Sequence, residues 1–280
     1  MPTAKLNGYN IYYEEHGSGF PLVFCHEFAG DVRAWDAQVD YFSRRYRVIT
    51  WNYRGYPPSD VPLDLADYSN DHLLADLKAL LDHLGIRQAH VAGLSMGGNL
   101  AMNFAFTHPS YCRSAVVASA GTGTTDRARF EADVEKLTTN LLEHGWKVVA
   151  EDYASRPSRV QLQRKDPMGW ERFKANLAAH SHIGSAMTQR GVQLARKTVY
   201  ELQDRMRTIA SPVLIVVGDE DEACIEPGLF MKQNILTSGL VMVPQTGHMV
   251  NLEEPALFNE MLAEFFAQVE HGKWHSRRPS

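Results

Sequence analysis

Short apolar runs alternate along this chain with longer segments in which apolar residues recur at helical spacing. Runs of continuous apolar character are typical of strands that are covered on both faces. Their alternation with helices indicates βαβ units around a parallel sheet. We therefore predict an α/β fold with a mostly parallel central sheet flanked by helices. The predicted strands are residues 11–15, 22–25, 48–51, 90–92, 115–118, 213–217 and 240–243.

The alternation stops between residues 121 and 208. This stretch has helical spacing, many charges and no convincing strand, and it holds too many aromatic residues for a linker. We predict that residues 121–208 form a helical cap inserted between two strands of the sheet. The core would then comprise residues 1–120 and 209–271, followed by a C-terminal tail at 272–280.

Composition narrows the class of protein. The chain has 280 residues, with 28 basic and 33 acidic side chains and a net charge of −5. A mildly acidic chain lacks the excess of positive charge that binds nucleic acid. No apolar run reaches the roughly 18 residues needed to span a membrane. The N-terminus shows no secretory signal, and three widely spaced cysteines suit reduced thiols. We expect a cytoplasmic monomer or homodimer without nucleic-acid or membrane partners.

The sharpest chemical signal is the pattern Gly-x-Ser-x-Gly at residues 93–97, between a predicted strand and a predicted helix. A serine on such a sharp turn needs small neighbours, because side chains two residues away on either side would collide. The turn also puts Ser95 at a helix N-terminus, where free N–H groups stabilise negative charge. A glycine-rich turn with a merely structural serine is the alternative.

A serine hydroxyl needs a base, and the base needs an orienting acid. Two later strands are each followed by suitable groups: Asp219 and Asp221 come after the first, and His248 comes after the second. Either carboxylate could instead be a solvated loop residue. His180 and His182 are two potential metal ligands without a third, so we predict no metal.

Five segments together resemble the α/β-hydrolase superfamily over nearly the whole chain. The order Ser95, Asp221, His248 is the order in which that fold carries its triad. The family pattern puts the acid at the last position of Gly-x-x-Asp, which implies Asp221, with Asp219 as the fallback. The branch that the chain resembles contains small-molecule esterases, enol-lactonases, cofactor-free haloperoxidases and carbon–carbon bond hydrolases. The matching segments are HEFAG at 26–30, NYRGYPPSD at 52–60, GLSMGG at 93–98, GDED at 218–221 and TGH at 246–248.

The resemblance also indicates an oxyanion hole and one departure from the family pattern. The backbone N–H of Met96 follows the nucleophile, and the second N–H is expected from Phe28. Relatives usually have His-Gly before that position, whereas this chain has His26-Glu27. We interpret His26 and Glu27 as possible tuning residues of the site. In one hypothesis Glu27 points inward and acts on Ser95 or a water, and in the other it turns outward and pairs with a cation.

These features predict a serine hydrolase that cleaves a small carboxylic ester, thioester or lactone through an acyl-enzyme, without a cofactor. A carbon–carbon bond hydrolase is an alternative, which Met249 disfavours because tryptophan usually follows the histidine there. A perhydrolase or haloperoxidase with the same triad and a slow-turnover ligand receptor are further alternatives. Packing within the cap would equally explain the candidate pocket residues, which are Phe130, Trp146, Trp170, Phe173, Met187 and Met249.

Overall fold

A central β-sheet organises the computed structural model, which describes residues 2–277. Within these residues the sheet has eight strands in the order β1-β2-β4-β3-β5-β6-β7-β8 once numbered along the chain. The first two strands run antiparallel to their neighbours, and all later neighbours are parallel. The predicted α/β class with a mostly parallel sheet is therefore confirmed. The strands are β1 (Thr3–Leu6), β2 (Tyr9–His16), β3 (Phe20–Cys25), β4 (Tyr46–Trp51), β5 (Ala89–Leu94), β6 (Cys112–Ala118), β7 (Val213–Gly218) and β8 (Ser238–Val243).

The inner strands are mostly apolar because helices cover both of their faces. Every residue of β5 and of β7 is buried. The short strand β1 was not predicted, since its four residues alternate between exposed and buried. It is the outermost strand of the sheet and runs antiparallel to β2. Parallel strands place their carboxyl ends along one edge, and this edge carries the loops that matter for the site.

Helices of the core pack on the two faces of this sheet. The first long one starts after Ser69, whose hydroxyl accepts a hydrogen bond from His72 N–H (3.0 Å), and it is followed by Gly85 at φ 68°. Both are common helix-end features, namely a hydroxyl that caps the first turn and a glycine with positive φ after the last. The core helices are α1 (Asp36–Phe42), α2 (Asn70–His83), α3 (Met96–Thr107), α10 (Glu222–Asn234), α11 (Val250–Glu253) and α12 (Pro255–Glu270), with 3₁₀ turns at Val32–Trp35 and Leu65–Asp67.

The chain between β6 and β7 is helical in the described structure. The predicted cap, residues 121–208, falls within this stretch, and its boundaries as a separate domain stay a prediction. Its helices are α4 (Arg127–His144), α5 (Trp146–Ala154), α6 (Val160–Lys165), α7 (Pro167–Ala179), α8 (His182–Thr188) and α9 (Gln203–Met206), with 3₁₀ turns at Pro157–Arg159 and Tyr200–Leu202 and a π-helix at Gln189–Leu194.

The end of the described chain folds back on the sheet. The Trp274 ring packs edge-on against Phe265 with centroids 4.7 Å apart, and its indole N–H donates to the Thr237 carbonyl (2.6 Å). Residues 278–280 of the predicted tail lie outside the described residues. Within the described part of the chain, none of the helices combines the length and apolar character needed to cross a membrane.

Candidate active site

Ser95 lies in a strained turn between β5 and α3. Its backbone has φ 55° and ψ −112°, a conformation that side-chain-bearing residues rarely adopt. The flanking glycines leave no room for a side chain. A Cβ on Gly97 would lie 2.0 Å from the Cys25 carbonyl oxygen, and one on Gly93 would lie 2.1 Å from the Gly97 carbonyl oxygen. The predicted steric reason for this glycine pattern therefore holds in the structure.

His248 and Asp221 meet at the same edge of the sheet. His248 Nδ1 and Asp221 Oδ2 are 2.8 Å apart, and the two residues are 6% and 2% exposed. Asp219, the other candidate acid, is exposed, and its side chain accepts a hydrogen bond from Thr246 N–H (3.2 Å). The structure thus brings Asp221 to the imidazole, while Asp219 holds the neighbouring loop.

The electrostatics of this pair favour its charged form. Burial alone would lower the pKa of His248, but the charge and hydrogen bond of Asp221 outweigh it and raise that pKa above its ordinary value. Burial alone would raise the pKa of Asp221, yet the interaction with His248 lowers it on balance. The arrangement stabilises an imidazolium, which is the species a histidine base becomes when it takes a proton.

Three backbone N–H groups of the loop that carries His248 donate hydrogen bonds to the rest of the protein. His248 N–H donates to the carbonyl of Ser158 in the helical segment (2.7 Å). The Glu253 carboxylate accepts from Gly247 N–H (2.6 Å) and from Met249 N–H (3.0 Å). Sequence analysis missed Ser158 and Glu253, since neither belongs to a motif.

The turn after β3 presents the backbone N–H that the resemblance indicates. The N–H of Ala29 is occupied, because it donates to the Tyr56 hydroxyl (3.2 Å). Phe28 N–H has no protein acceptor among residues 2–277. Met96 is the first residue of α3, and the first N–H groups of a helix have no acceptor within it. These positions suit the two predicted oxyanion donors, whose role stays a prediction.

Glu27 pairs with a cation, as one hypothesis predicted, but it is buried and does not turn outward, and its predicted action on Ser95 or a water stays a prediction. Its side chain is buried, and one carboxylate oxygen accepts a hydrogen bond from the Arg159 guanidinium (2.6 Å). The same nitrogen lies 3.1 Å from the Tyr153 hydroxyl, and the guanidinium stacks over the Tyr153 ring. Glu27 therefore points inward and pairs with a cation, and the cation comes from the helical segment.

His26 is a fixed part of the turn. Its Nε2 accepts from Tyr53 N–H (3.4 Å), so Nδ1 carries the proton and donates to the Glu27 carbonyl (2.7 Å). Its ring stacks on the Tyr53 ring at 3.8 Å, and burial lowers its pKa to about 4. Both nitrogens are engaged with backbone, which suits a residue that shapes the turn.

Two of the candidate pocket tryptophans anchor the helical segment internally. The indole N–H of Trp146 donates to the Ser185 hydroxyl (2.8 Å), and that of Trp170 donates to the Ala154 carbonyl (3.1 Å). The Trp146 ring also lies 6.3 Å from the Phe28 ring, between centroids. Trp146 thus touches the turn after β3, whereas Trp170 packs α7 on α5.

The other four candidate pocket residues differ in burial and in the groups that they contact. Phe130 is half-buried beneath the Arg127 guanidinium, at 5.5 Å. Met187 is partly buried against the core, and Met249 is fully buried. Phe173 lies below Arg159 and lines a cavity. Their role as pocket residues stays a prediction.

That cavity, of about 270 Å³, lies between the loop after β3 and the helical segment. Its lining includes Gly30, Asp31, Leu162, Phe173 and Leu252. None of the three predicted triad residues lines it. It is therefore a neighbour of the site, adjacent to the turn that carries Phe28.

One group of potential metal ligands occurs within residues 2–277. Donor atoms of Asp221, Cys224 and His248 lie within 4.8 Å of one another. The first and last are hydrogen-bonded to each other, and Cys224 Sγ donates to the Ser119 carbonyl (3.2 Å). Because these atoms already have protein partners, we assign no metal to the group.

A serine on such a turn, followed along the chain by an acid and then a histidine at other strand ends, is the order found in hydrolases with a nucleophile elbow. Comparison with protein families agrees, since the model described as "alpha/beta hydrolase fold" matches residues 21–255. The match covers more than half of the chain, and the chain therefore belongs to the α/β-hydrolase family.

Individual relatives span almost the whole chain. One is a putative 2-succinyl-6-hydroxy-2,4-cyclohexadiene-1-carboxylate synthase of Bacillus subtilis (strain 168), 26% identical over 93% of this chain and 95% of that protein. Another is 3-oxoadipate enol-lactonase 2 of Acinetobacter baylyi, 28% identical over 85% of each chain. A solved enol-lactonase from Burkholderia xenovorans LB400 superposes with a TM-score of 0.85 at 21% identity, over 95% of this chain and all of the other. The last comparison bears on the fold alone. The predicted family is confirmed, and the enol-lactonase among the curated relatives agrees with an enzyme of the hydrolase class.

Proposed function

We propose that this protein is a serine hydrolase that cleaves a small carboxylic ester, thioester or lactone through an acyl-enzyme. The observation that carries the proposal is the buried 2.8 Å contact between His248 Nδ1 and Asp221, at the edge of the sheet where Ser95 turns. When a histidine is held by a hydrogen bond at Nδ1, its Nε2 is left to accept the proton of a nucleophile. Relatives named enol-lactonase support a lactone within this substrate class.

In the proposed mechanism Ser95 Oγ attacks the acyl carbon while His248 Nε2 takes the hydroxyl proton. Asp221 holds the imidazole and stabilises its charged form. The N–H groups of Phe28 and Met96 bind the oxyanion, a contribution worth about 10²–10³ in rate for each donor. His248 then protonates the leaving alkoxide, thiolate or ring oxygen, and activates a water that releases the acid and restores Ser95.

Ser95→Ala tests the proposal, with Ser110→Ala, at an exposed position, as the matched control. The measurement is steady-state turnover of p-nitrophenyl acetate, a series of longer esters and a small lactone. We expect Ser95→Ala to lose about 10³-fold or more in kcat while the control keeps its rate. An acetyl adduct on the peptide containing Ser95 should accumulate in rapidly quenched wild-type samples.

Undiminished cleavage by Ser95→Ala would overturn the proposal. A single-turnover burst without steady state would instead support the ligand-receptor alternative. Peracid formation from acetate and peroxide that outpaces ester cleavage would support a perhydrolase.

We further propose a cytoplasmic location and a monomeric or homodimeric state. All three cysteines, Cys25, Cys112 and Cys224, are buried free thiols, which supports a reducing compartment. Cell fractionation and light scattering of the purified protein would test these two points.

A further inference from the structure

Glu27 and Arg159 form a buried ion pair that joins the two parts of the molecule. Glu27 lies in the turn after β3 and is 1% exposed, whereas Arg159 ends the 3₁₀ turn Pro157–Arg159 of the helical segment and is 5% exposed. A single hydrogen bond of 2.6 Å links them across 132 positions of sequence. The pair brings two full charges to the edge of the candidate active site.

This pair is poorly satisfied for a structural ion pair. Glu27 Oε1 and Arg159 Nε are buried and have no partner among the described residues. The buried pair Arg54–Asp76 is different, because Arg54 reaches both carboxylate oxygens (2.7 and 2.8 Å) and Asn7 contributes a further hydrogen bond. Burying charges is costly unless their hydrogen bonds are completed, so stability alone does not account for Glu27 and Arg159.

The neighbours of both residues contact the proposed machinery. Glu27 directly precedes Phe28, the proposed oxyanion donor. Arg159 directly follows Ser158, whose carbonyl accepts the hydrogen bond from His248 N–H (2.7 Å). The ion pair therefore lies between the oxyanion turn and the histidine loop.

Several charged or titratable groups surround the His248 imidazole. Asp221 is hydrogen-bonded to it, the Cys224 thiol lies within the same cluster, and Glu253 braces its loop. Beyond burial and Asp221, the pKa of His248 is lowered by Arg159 and raised by Glu27. The two members of the ion pair thus act on the imidazole in opposite directions.

We propose that Glu27 and Arg159 are a pair of positioning residues that balance each other's charge at His248 across the boundary between the sheet and the helical segment. Neither residue is assigned a bond to the reacting atoms. The inference rests on the proposed function, because it requires His248 to act as the general base. Its consequence is that removing either charge shifts the pH dependence of the reaction, and that removing both restores it.

The test is the pH profile of kcat/KM for ester cleavage. Neutral His248 is the active base, so the acidic limb of the profile follows its pKa. Arg159→Met leaves the Glu27 charge and should move this limb to higher pH by about 0.5–1 unit. Glu27→Gln leaves the Arg159 charge and should move it to lower pH by a similar amount.

Further variants separate charge from packing. Glu27→Gln combined with Arg159→Met should return the limb to within about 0.3 unit of wild type, and Arg159→Lys should stay near wild type because it keeps the charge. Asp76→Asn breaks the other buried ion pair and should leave the limb in place even if it lowers Tm. This control also shows that destabilisation alone does not shift the profile.

The inference is overturned if both single variants move the limb in the same direction, or if neither moves it. If Glu27→Gln fails to fold, Arg159→Met and Arg159→Lys still decide: the inference is overturned if Arg159→Met does not move the limb to higher pH, or if Arg159→Lys moves it equally. Failure of the proposed function would look different, since Ser95→Ala would then retain activity whatever these profiles show.

Discussion

Glu253 holds His248 in place without contacting its imidazole. Its carboxylate accepts the N–H groups of Gly247 and Met249, the residues on either side of the histidine, at 2.6 and 3.0 Å. These bonds fix the backbone from which the imidazole projects toward Asp221. A group that touches no reacting atom thereby determines where the proposed base stands.

Glu253→Gln should destabilise the loop that carries His248. A glutamine has one acceptor oxygen, so one of the two backbone N–H groups would face an NH₂ group or lose its partner. We expect a loss of about 1–3 kcal/mol in the free energy of unfolding and a fall of about tenfold in kcat. Urea unfolding and steady-state kinetics measure these effects. The exposed Glu260→Gln is the matched control, and equal behaviour of the two variants would contradict the bracing role.

The pH dependence of the wild type should reflect the interaction of His248 with Asp221. Because that interaction raises the pKa of His248 above the ordinary 6.5, activity should fall on acidification from a pH above 6.5. Asp221→Asn removes the charge that raises this pKa. It should reduce kcat about 10³–10⁴-fold and move any residual acidic limb to lower pH.

Asp219, the exposed carboxylate near Asp221, provides the control for the Asp221→Asn experiment. Asp219→Asn should keep both the rate and the position of the limb, since Asp219 contacts Thr246 N–H and not the imidazole. A wild-type profile with its half-maximal kcat/KM below pH 6.5 would contradict the interpretation of the pair.

Gly97→Ala tests the steric basis of the turn around Ser95. The new methyl group would lie 2.0 Å from the Cys25 carbonyl oxygen, which belongs to the rigid end of β3. We expect a loss of about 3 kcal/mol or more in stability, together with loss of activity. Gly85→Asn is the control, because its position is open and asparagine tolerates its φ of 68°. The measurements are the thermal unfolding and the activity of both variants. A stable, active Gly97→Ala protein would refute the steric explanation for glycine at this position.

The sequence predicted those parts of the molecule that local patterns specify. Continuous apolar runs located the inner strands, because burial on both faces of a strand is visible in residues that are neighbours in sequence. The strand β1 was missed, since four residues with alternating burial carry little periodic signal. The pairing of His248 with Asp221, and not with Asp219, followed from a family resemblance.

The partners of the site residues could not be predicted in the same way. Glu27 was recognised as unusual from its position alone, but its partner Arg159 lies 132 residues away in another part of the fold. Glu253 follows the histidine without any motif spacing that assigns it a role. Contacts of this kind depend on how the helical segment packs on the sheet, which no local pattern encodes.

Two hydrogen bonds between side chains join the helical segment to the ends of one five-residue turn, residues 27–31. Arg159 binds Glu27 at the start of this turn, and His180 binds Asp31 at its end, with 2.9 Å between His180 Nε2 and the carboxylate. Phe28 lies between these anchors. Moving the helices away from the sheet would therefore break hydrogen bonds on both sides of the proposed oxyanion donor, and the turn that holds Phe28 would lose its support at both ends.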